Sequence, residues 1–344
     1  MSDLIVRKSG KAGHVTLNRP QALNALTHPM CLDLEVAMGD FAADDDIGLL
    51  LIDAAGEKAF CAGGDIVKIY NDGKTGQVEN ALKFWRDEYR LNHAISTYAK
   101  PYVAIMDGIV MGGGVGISAH GSHRVVTERT MFAMPECAIG LLPDVGGTYL
   151  LGQMPGRCGE YAGLTGARLS GADCIYAGVA DYFVPSDNLD ALKAALLETG
   201  DVMVLNDFAT TPDASALAES RAAIDAAFAY DTVAKIIQNL KETQSDFAAA
   251  SLKTILRGAP LCLQITLAAI RDARRDRSLE MSLRHEYRIV SMCLQDGELI
   301  EGIRAMVIDK DRAPKWKYPT LESVPQDMID RLYQPALGGD FVVE

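Results

Sequence analysis

Short β-branched runs alternate with glycine-rich turns and helix-like stretches over the first 205 residues of this chain of 344. Strands that alternate with helices in this way indicate an α/β layer architecture. We therefore predict an α/β region over residues 1–205. The runs that predict strands are LIVRKS at 4–9, HVTLN at 14–18, IGLLLIDA at 47–54, PYVAIMDG at 101–108, HRVVTE at 123–128 and VADYFVP at 179–185.

The strand signal nearly vanishes beyond residue 205. Apolar residues recur close to the helical period in most of the segments that follow, from SALAESRAAIDAAFA to DGELIEGIRAMVIDK. Ser278 and Asp296 stand where helices would begin, and Gly258 stands where one would end. We predict a second, all-helical region over residues 206–344, and the length of the chain also favours about two domains.

Charge and composition exclude several classes of protein. Lys and Arg number 33 and Asp and Glu 46, which gives a formal net charge of −13, whereas a nucleic-acid-binding domain is usually basic. No run approaches the length of an apolar membrane span. The N-terminus lacks the apolar core of a secretory signal and the look of a transit peptide. The seven widely spaced cysteines suit reduced thiols, so we expect a cytoplasmic protein that binds neither nucleic acid nor membrane.

The densest glycine segment is GIVMGGGVGISAHG at 108–121. Its G-x-G-x-x-A pattern lacks room for the crossover helix of a dinucleotide-binding unit before the next strand. Ser118 is not in a nucleophile elbow, because residue 120 is His where that motif needs Gly. Two interpretations stay open. The run Gly112–Gly114 either opens a short helix whose free N–H groups bind an oxyanion, or it only allows close packing of helix on sheet.

A second turn of small residues, Ala62–Asp65, follows the strand IGLLLIDA and leads into a helix. By itself this turn is a weak signal, since turns of this kind are common. Two such turns in one α/β domain can direct two backbone N–H groups at one carbonyl oxygen, which is the arrangement that acyl chemistry needs.

Two carboxylates, Glu136 and Asp144, lie among apolar and small residues in FAMPECAIGLLPDVGGTYLLG at 132–152. Burial of an acid is costly unless it is paired or hydrogen-bonded, and it raises the pKa towards values useful for acid–base catalysis. The alternative is that both are solvated surface residues. Cys137 next to them is expected to be a buried free thiol. The six histidines show no ligand spacing, so we predict no metal site.

Five segments resemble, in order, the motifs of the enoyl-CoA hydratase/isomerase (crotonase) superfamily. Two further segments, DEYRLN at 87–92 and HEYRIVSMCL at 285–294, are similar to its branch of 3-hydroxyisobutyryl-CoA hydrolases. The resemblance spans nearly the whole chain and implies a crotonase-like spiral of ββα turns with helices at the C-terminal end. The five segments are NRPQALNAL at 18–26, AFCAGGD at 59–65, AKPYVAIMDGIVMGGGVGI at 99–117, FAMPECAIGLLPDVGGT at 132–148 and LTGARLSGADCIYAGVADYFVP at 164–185.

The resemblance implies roles for single residues. It places oxyanion-hole N–H groups at Ala62 and Gly113, the central catalytic carboxylate at Glu136 and its partner at Asp144. It also places Glu88 at the substrate end of the pocket. Substrate contacts are thus expected from Glu88, Gly113, Glu136 and Asp144. The residues that match segments lining the path of coenzyme A are Ala22, Leu23, Gly63, Gly64 and Asp65.

One departure from the superfamily bears on the reaction. Hydratases carry a second catalytic Glu three residues after the glycine that matches Gly113, and this chain has Gly116 there. We therefore expect hydrolysis of 3-hydroxyisobutyryl-CoA to 3-hydroxyisobutyrate and coenzyme A, as in valine catabolism, without a metal or a cofactor. Enoyl- or dienoyl-CoA isomerisation, hydration and non-catalytic acyl-CoA binding are the alternatives. The sequence leaves a homo-oligomer open.

Overall fold

The strands and helices below come from a computed structural model, which describes residues 2–336 and 338–343. The strands are β1 (Leu4–Ser9), β2 (Ala12–Leu17), β3 (Leu49–Ala54), β4 (Ala59–Cys61), β5 (Tyr102–Met106), β6 (Ile109–Met111), β7 (His123–Val126), β8 (Met131–Ala133), β9 (Leu169–Ser170) and β10 (Tyr182–Phe183). The α-helices are α1 (His28–Ala43), α2 (Ile66–Lys74), α3 (Val78–Ser96), α4 (Gly113–Gly116), α5 (Gly147–Gln153), α6 (Cys158–Thr165), α7 (Gly171–Ala177), α8 (Leu189–Thr199), α9 (Leu205–Phe208), α10 (Ala216–Glu219), α11 (Arg221–Phe228), α12 (Val233–Glu242), α13 (Asp246–Ile255), α14 (Pro260–Asp276), α15 (Leu279–Asp296), α16 (Glu298–Ile303) and α17 (Gln326–Asp330). Short 3₁₀ turns occupy Pro20–Ala22, Glu136–Ile139, Ser186–Asn188, Val202–Val204, Leu321–Ser323 and Arg331–Tyr333, and a π-helical turn occupies Arg304–Ile308.

Contacts divide the chain into two compact units, each built from three segments. This division differs from the predicted boundary at residue 205, because two early segments group with the C-terminal helices. In the second unit, for example, α2 packs against α16, a contact between distant parts of the chain that no local pattern reveals. The first unit holds the residues up to Asp65, Asp87–Phe132 and Arg168–Ala218; the second holds Ile66–Arg86, Ala133–Ala167 and the described residues from Glu219 onward.

The larger sheet lies in the first unit and has the strand order β1-β2-β3-β5-β7-β10. The strands β1 and β2 form an antiparallel pair, and every later neighbour in the sheet is parallel. All six strands predicted from the sequence are in this sheet, so those predictions are confirmed. Five of the six residues of β3 are buried, which explains its unbroken apolar run, since a central parallel strand is covered on both faces.

A smaller sheet has the order β4-β6-β8-β9. Strands β3, β5 and β7 belong to the larger sheet, and the strand that follows each of them belongs to the smaller one. The chain thus adds one strand to each sheet per turn before a helix or loop carries it onward. This arrangement confirms the predicted α/β fold with a spiral of ββα turns.

The core of the first unit lies between the larger sheet and α8. Leu49, Leu51 and Val103 project from the sheet towards Leu192 and Leu196 of the helix, and all five are buried. Burial of each such side chain contributes about 1.5–3 kcal/mol. On the sheet residue Gly13, an added Cβ would stand 2.3 Å from the ring of Phe41 in α1. Glycine at this position therefore lets a second helix approach the sheet.

The C-terminal part of the chain is helical, as predicted, and the described residues beyond Phe183 include no strand. Ser278 begins α15 as predicted, because its side chain accepts a hydrogen bond from the Met281 amide at 3.2 Å. The prediction for Asp296 is wrong: it is the last residue of α15, and Gly297 precedes α16. Gly297 alone separates the two helices, in the left-handed conformation that favours glycine.

Two further expectations concern reduced cysteines and the lack of an apolar membrane span. All seven cysteines are buried and carry free thiols. None of the helices within the described residues combines the length and the apolar composition that crossing a membrane requires.

Candidate active site

The glycine segment forms a tight connection between β6 and α4 in the first unit. Every residue of α4 is buried. An added Cβ on Gly114 would stand 2.3 Å from the carbonyl oxygen of Cys61 in β4, which is far inside van der Waals contact. Close packing of helix on sheet therefore requires glycine at this position, so the packing interpretation holds for Gly114.

Gly113 has different neighbours. A Cβ placed on it would stand 2.7 Å from Oε1 of Glu88 and 3.3 Å from the amide nitrogen of Gly64. As the first residue of α4, Gly113 has no partner for its N–H within the helix. Among the described residues, neither Gly64 nor Gly113 donates any of the backbone hydrogen bonds between elements. Two backbone donors and a carboxylate thus lie around one point of the first unit.

The neighbouring Ala62 is not available as such a donor. Its N–H donates to the carbonyl oxygen of Leu23 at 3.0 Å, which contradicts the prediction that Ala62 is an oxyanion donor. The Leu26 amide donates to Gly63 and the Asp65 amide donates to Leu26, both at 2.8 Å. Because Gly63 and Asp65 make this parallel bridge with Leu26, the N–H of the intervening Gly64 points away from Leu26. Gly64, expected from the sequence to contact coenzyme A, therefore has the N–H group that lies beside Gly113.

The same hydrogen bonds bring together the two segments predicted to line the coenzyme A path. Leu23 accepts from the segment that contains Gly63, Gly64 and Asp65, and Ala22 immediately precedes it. The Arg19 guanidinium also lies 3.3 Å from the Asp65 carboxylate. The predicted residues are thus neighbours in space, and their contact with coenzyme A stays a prediction.

Helix α3 carries two buried polar side chains on one face. Glu88 is buried, and Asn92 follows it by four residues, a spacing that places both on the same side of the helix. Asn92 is fully buried, and neither atom of its side-chain amide has a hydrogen-bond partner among the described residues. A buried polar group without a partner costs about 1–3 kcal/mol. Sequence analysis missed Asn92, because a single Asn within a helix matches no pattern.

The second unit holds both predicted carboxylates. Glu136 begins the 3₁₀ turn Glu136–Ile139, and its side chain, like that of Asp144, is only 5% exposed. Burial first, then the negative charges of Asp144 and Glu286, raise the pKa of Glu136 well above 4.5. The Glu136 Oε2 atom has no hydrogen-bond partner among the described residues. The interpretation of the two acids as solvated surface residues is therefore excluded.

Asp144 begins a tight turn. Its carbonyl oxygen accepts from the Gly147 amide at 2.6 Å, and φ is positive at both intervening residues, 54° at Val145 and 76° at Gly146. Positive φ is rare for a β-branched residue and costs about 1–3 kcal/mol. Strain of this kind persists only where the surroundings hold the backbone in place.

The group that holds this turn is Glu286, to which the sequence assigned no role. This residue of α15 is fully buried, and its carboxylate accepts hydrogen bonds from the Gly146 amide at 2.7 Å and the Thr148 amide at 2.9 Å. The Thr148 hydroxyl donates a third bond. Burial raises the pKa of Glu286 to about 8, although these hydrogen bonds lower it. The only sequence signal was the segment HEYRIVSMCL, in which nothing singles out the Glu.

A profile of the enoyl-CoA hydratase/isomerase family matches residues 12–333. The protein named 3-hydroxyisobutyryl-CoA hydrolase, mitochondrial, of Danio rerio is 42% identical over 96% of this chain and 89% of its own length. Its Homo sapiens namesake is 40% identical over 96% of this chain and 88% of its own. The chain therefore belongs to the enoyl-CoA hydratase/isomerase family.

Two solved structures are also similar over the whole chain. A carnitinyl-CoA dehydratase from Mycobacterium thermoresistibile is 44% identical, covers 100% of this chain and 99% of its own, and has a TM-score of 0.95. An enoyl-CoA hydratase from Rhodobacter sphaeroides 2.4.1 is 41% identical, covers 99% and 100%, and has a TM-score of 0.92. The names of these relatives cover hydrolysis, dehydration and hydration, so the choice among the three reactions depends on particular residues.

Replacement of Asn92 by Leu separates a structural from a functional role. Leucine has a similar size and removes two unpartnered polar atoms, so the free energy of unfolding should rise by about 1–3 kcal/mol. Catalytic turnover should fall by about 2- to 10-fold if the amide makes one hydrogen bond to a ligand. Thermal denaturation and steady-state kinetics measure the two effects.

Asn24 provides the matched control. It is also buried, but its amide donates to the carbonyl oxygens of Ala55 and Ala59 at 3.0 and 2.9 Å. Asn24→Leu should therefore lower stability. An Asn92→Leu variant that is less stable than the wild type and fully active would contradict a functional role for Asn92.

Proposed function

We propose that this protein hydrolyses acyl-CoA thioesters and that its substrate is 3-hydroxyisobutyryl-CoA, which it converts to 3-hydroxyisobutyrate and coenzyme A in valine catabolism. The observation that carries the proposal is a buried Glu136 of raised pKa in a chain with Gly116 at the position of the second hydratase acid. Relatives at 40–42% identity are named for this hydrolysis. One basic carboxylate suffices for attack on a thioester, whereas addition of water to a double bond uses two acids in the hydratases of this family.

The thioester oxygen accepts hydrogen bonds from the backbone N–H groups of Gly64 and Gly113 in this proposal. Support comes from their position beside each other and from the absence of either as a donor in the backbone hydrogen bonds of the described residues. Such donors stabilise the negative charge that develops on the oxygen, and loss of one typically costs about 3–4 kcal/mol of transition-state stabilisation. Gly64 replaces Ala62 in this role.

Glu136 attacks the thioester carbon itself or removes a proton from the water that attacks it. In the first route the C–S bond breaks to give a mixed anhydride and the thiolate of coenzyme A, and water then hydrolyses the anhydride. In the second route water adds directly and the C–S bond breaks from the tetrahedral intermediate. Both routes require the ionised form of Glu136, and neither uses a metal or a redox cofactor.

Asp144 and Glu88 hold the 3-hydroxyl group of the substrate in this proposal. A carboxylate that accepts a hydrogen bond from a hydroxyl gains about 1.5–3 kcal/mol, enough to select a hydroxyacyl group over an unsubstituted one. The charge of Asp144 also contributes to the raised pKa of Glu136, which makes Glu136 a stronger base.

The second candidate function is isomerisation of an enoyl- or dienoyl-CoA, with the same two acids as proton carriers. The solved structures at 41–44% identity are named for a hydratase and a dehydratase, and these names favour hydration as a further alternative, whereas isomerisation rests on the two retained acids. A panel of acyl-CoA substrates with a colorimetric thiol reagent distinguishes the candidates. Rapid thiol release from 3-hydroxyisobutyryl-CoA supports hydrolysis. An ultraviolet change in a dienoyl-CoA without thiol release supports isomerisation, and binding without either supports a non-catalytic protein.

The remaining proposals concern how coenzyme A enters the reaction, the cell compartment and the oligomeric state. We propose that coenzyme A enters as part of the substrate and that the protein works in the cytoplasm, where its seven free cysteines would stay reduced. The curated relatives are named as mitochondrial proteins, so subcellular fractionation is the test. Sedimentation would show whether the chain forms a homo-oligomer.

Glu136→Gln should abolish nearly all hydrolysis, because it keeps the shape of the side chain but removes its charge and its proton-accepting oxygen. Thiol release per folded molecule measures the effect, and addition of EDTA to the wild type should leave the rate unchanged. Glu160→Gln is the matched control, since Glu160 is a fully buried acid of the same unit that pairs with Arg157 and Arg274 at 2.8 Å. Hydrolysis by Glu136→Gln within about threefold of wild type would remove Glu136 from the mechanism.

The pH dependence of kcat/KM should reflect the raised pKa of Glu136. Hydrolysis needs the ionised carboxylate, so activity should be lost as the pH falls through a value well above 4.5. In Asp144→Asn this acid limb should move to lower pH, because the negative charge that disfavours ionisation of Glu136 is gone. A pH series of both proteins measures the shift, and a limb that stays in place would contradict the coupling.

Asp144→Ala tests the grip on the 3-hydroxyl group. If Asp144 holds that group, kcat/KM should fall far more for 3-hydroxyisobutyryl-CoA than for isobutyryl-CoA, which lacks the hydroxyl. A hydrogen bond to a charged group is worth about 1.5–3 kcal/mol, so the ratio of the two constants should fall by about 10- to 150-fold. An unchanged ratio would rule out the grip and weaken the case for a hydroxyacyl substrate.

A further inference from the structure

The segment HEYRIVSMCL contains a fully buried carboxylate, Glu286, which lies against the end of the tight turn that Asp144 begins. Both carboxylate oxygens are used, one by the Gly146 amide and the other by the amide and hydroxyl of Thr148. The chemistry proposed above uses this acid only through its charge, which contributes to the raised pKa of Glu136. Its three hydrogen bonds go to Gly146 and Thr148, the first and third residues after Val145, and this pattern indicates a role in the geometry of the turn.

We propose that Glu286 is a positioning residue, which fixes the Asp144 carboxylate for its action on the substrate by holding the turn Asp144–Gly147. This inference rests on the proposed function of Asp144. The turn has positive φ at Val145 and at Gly146, so it is a conformation that a free chain would leave. The three hydrogen bonds to Glu286 begin immediately after Val145, and they keep the backbone in that conformation.

An ordinary helix cap does not account for this carboxylate. Five other helices of the described residues are capped by a Ser or Thr that directly precedes them, which costs no buried charge. Helix α5 has only seven residues and a glycine at its N-cap, and its acceptor comes from α15, 138 to 140 positions away. The helices with a local cap are α1 (Thr27), α7 (Ser170), α12 (Thr232), α13 (Ser245) and α15 (Ser278).

The backbone explains why α5 lacks a local cap. Gly146 has φ of 76°, which glycine adopts freely and Ser or Thr does not. The turn conformation that directs Asp144 therefore excludes a Ser or Thr cap at residue 146. A carboxylate from another helix supplies the missing acceptors, although its burial raises its pKa to about 8. A buried carboxylate, which is costly for stability, is thus present where the turn needs hydrogen-bond acceptors.

The experiment uses a double-mutant cycle on the full chain. The kcat/KM for 3-hydroxyisobutyryl-CoA is measured for the wild type, Glu286→Gln, Asp144→Ala and the double variant, and isobutyryl-CoA serves as the substrate without the hydroxyl. Glutamine keeps the size of the side chain but turns an NH₂ group towards one of the backbone donors. If Glu286 acts through Asp144, Glu286→Gln should lower kcat/KM about 10-fold or more for the hydroxyacyl thioester and less for isobutyryl-CoA. The double variant should then match Asp144→Ala within about twofold.

Losses that multiply in the double variant, or equal losses on both substrates, would overturn the positioning role. Failure of the proposed function looks different: Asp144→Ala would then leave the substrate ratio unchanged, while the double variant would still match it. Glu160→Gln is the control for a buried acid that acts on stability alone, so kcat/KM per folded molecule should change little in this variant, with or without Asp144→Ala.

Amide hydrogen exchange provides a readout that does not depend on activity. In Glu286→Gln, exchange at the amides of Gly146 and Thr148 should become at least about 10-fold faster, without a similar change in the rest of α5. Unchanged exchange at these two amides would overturn the inference. If Glu286→Gln does not fold, Thr148→Val takes its place, because it removes only the hydroxyl donor. It should lower the ratio of kcat/KM for 3-hydroxyisobutyryl-CoA to kcat/KM for isobutyryl-CoA, by a smaller factor than Glu286→Gln would. An unchanged ratio in that variant would count against the proposal.

Discussion

The close approach of the glycine turn to β4 is the constraint on which the first unit depends. Gly114 lies so near the carbonyl of Cys61 that any side chain would collide with it. This approach joins two successive turns of the spiral, and the neighbouring residues Gly113 and Gly64 are brought together as a consequence. One packing requirement thus explains both interpretations of the glycine run, since Gly114 serves the contact and Gly113 offers its N–H.

The second unit follows a different principle, in which buried charge fixes geometry. Glu136, Asp144 and Glu286 are all buried acids. Burial raises the pKa of Glu136 and of Glu286, and the negative charge of Asp144 raises both pKa values further. Such a cluster is costly because each carboxylate leaves water. The strained turn at Val145 and the hydrogen-bond acceptors from Glu286 are parts of the same local structure. Both lower the stability of the fold at the place where the Asp144 carboxylate is oriented.

The sequence predicted the larger sheet well and the smaller sheet poorly. Every strand of the larger sheet was predicted, including the two-residue β10, because each lies in a longer run rich in apolar and β-branched residues. The strands of the smaller sheet, such as β4 and β9, have only two or three residues and show no periodic signal. The site follows the same division. The acids Glu136 and Asp144 stood out by their apolar surroundings, whereas the choice between Ala62 and Gly64 depended on a hydrogen bond to Leu23 that only the fold creates. Asn92 and Glu286 gain their significance from partners that are missing or distant, which no local pattern contains.

A shared backbone therefore does not determine the reaction within this family. Structures with TM-scores of 0.92 and 0.95 carry names for hydration and dehydration, and paired backbone donors can stabilise an enolate as well as the tetrahedral intermediate of a thioester. What differs is the number and position of the acids. Gly116 contributes no side chain to α4, so the pair of acids that activates water for addition to a double bond lacks one member there. In the proposed reaction the acids that this chain retains, Glu136 and Asp144, serve attack on the thioester carbon and recognition of a hydroxyl.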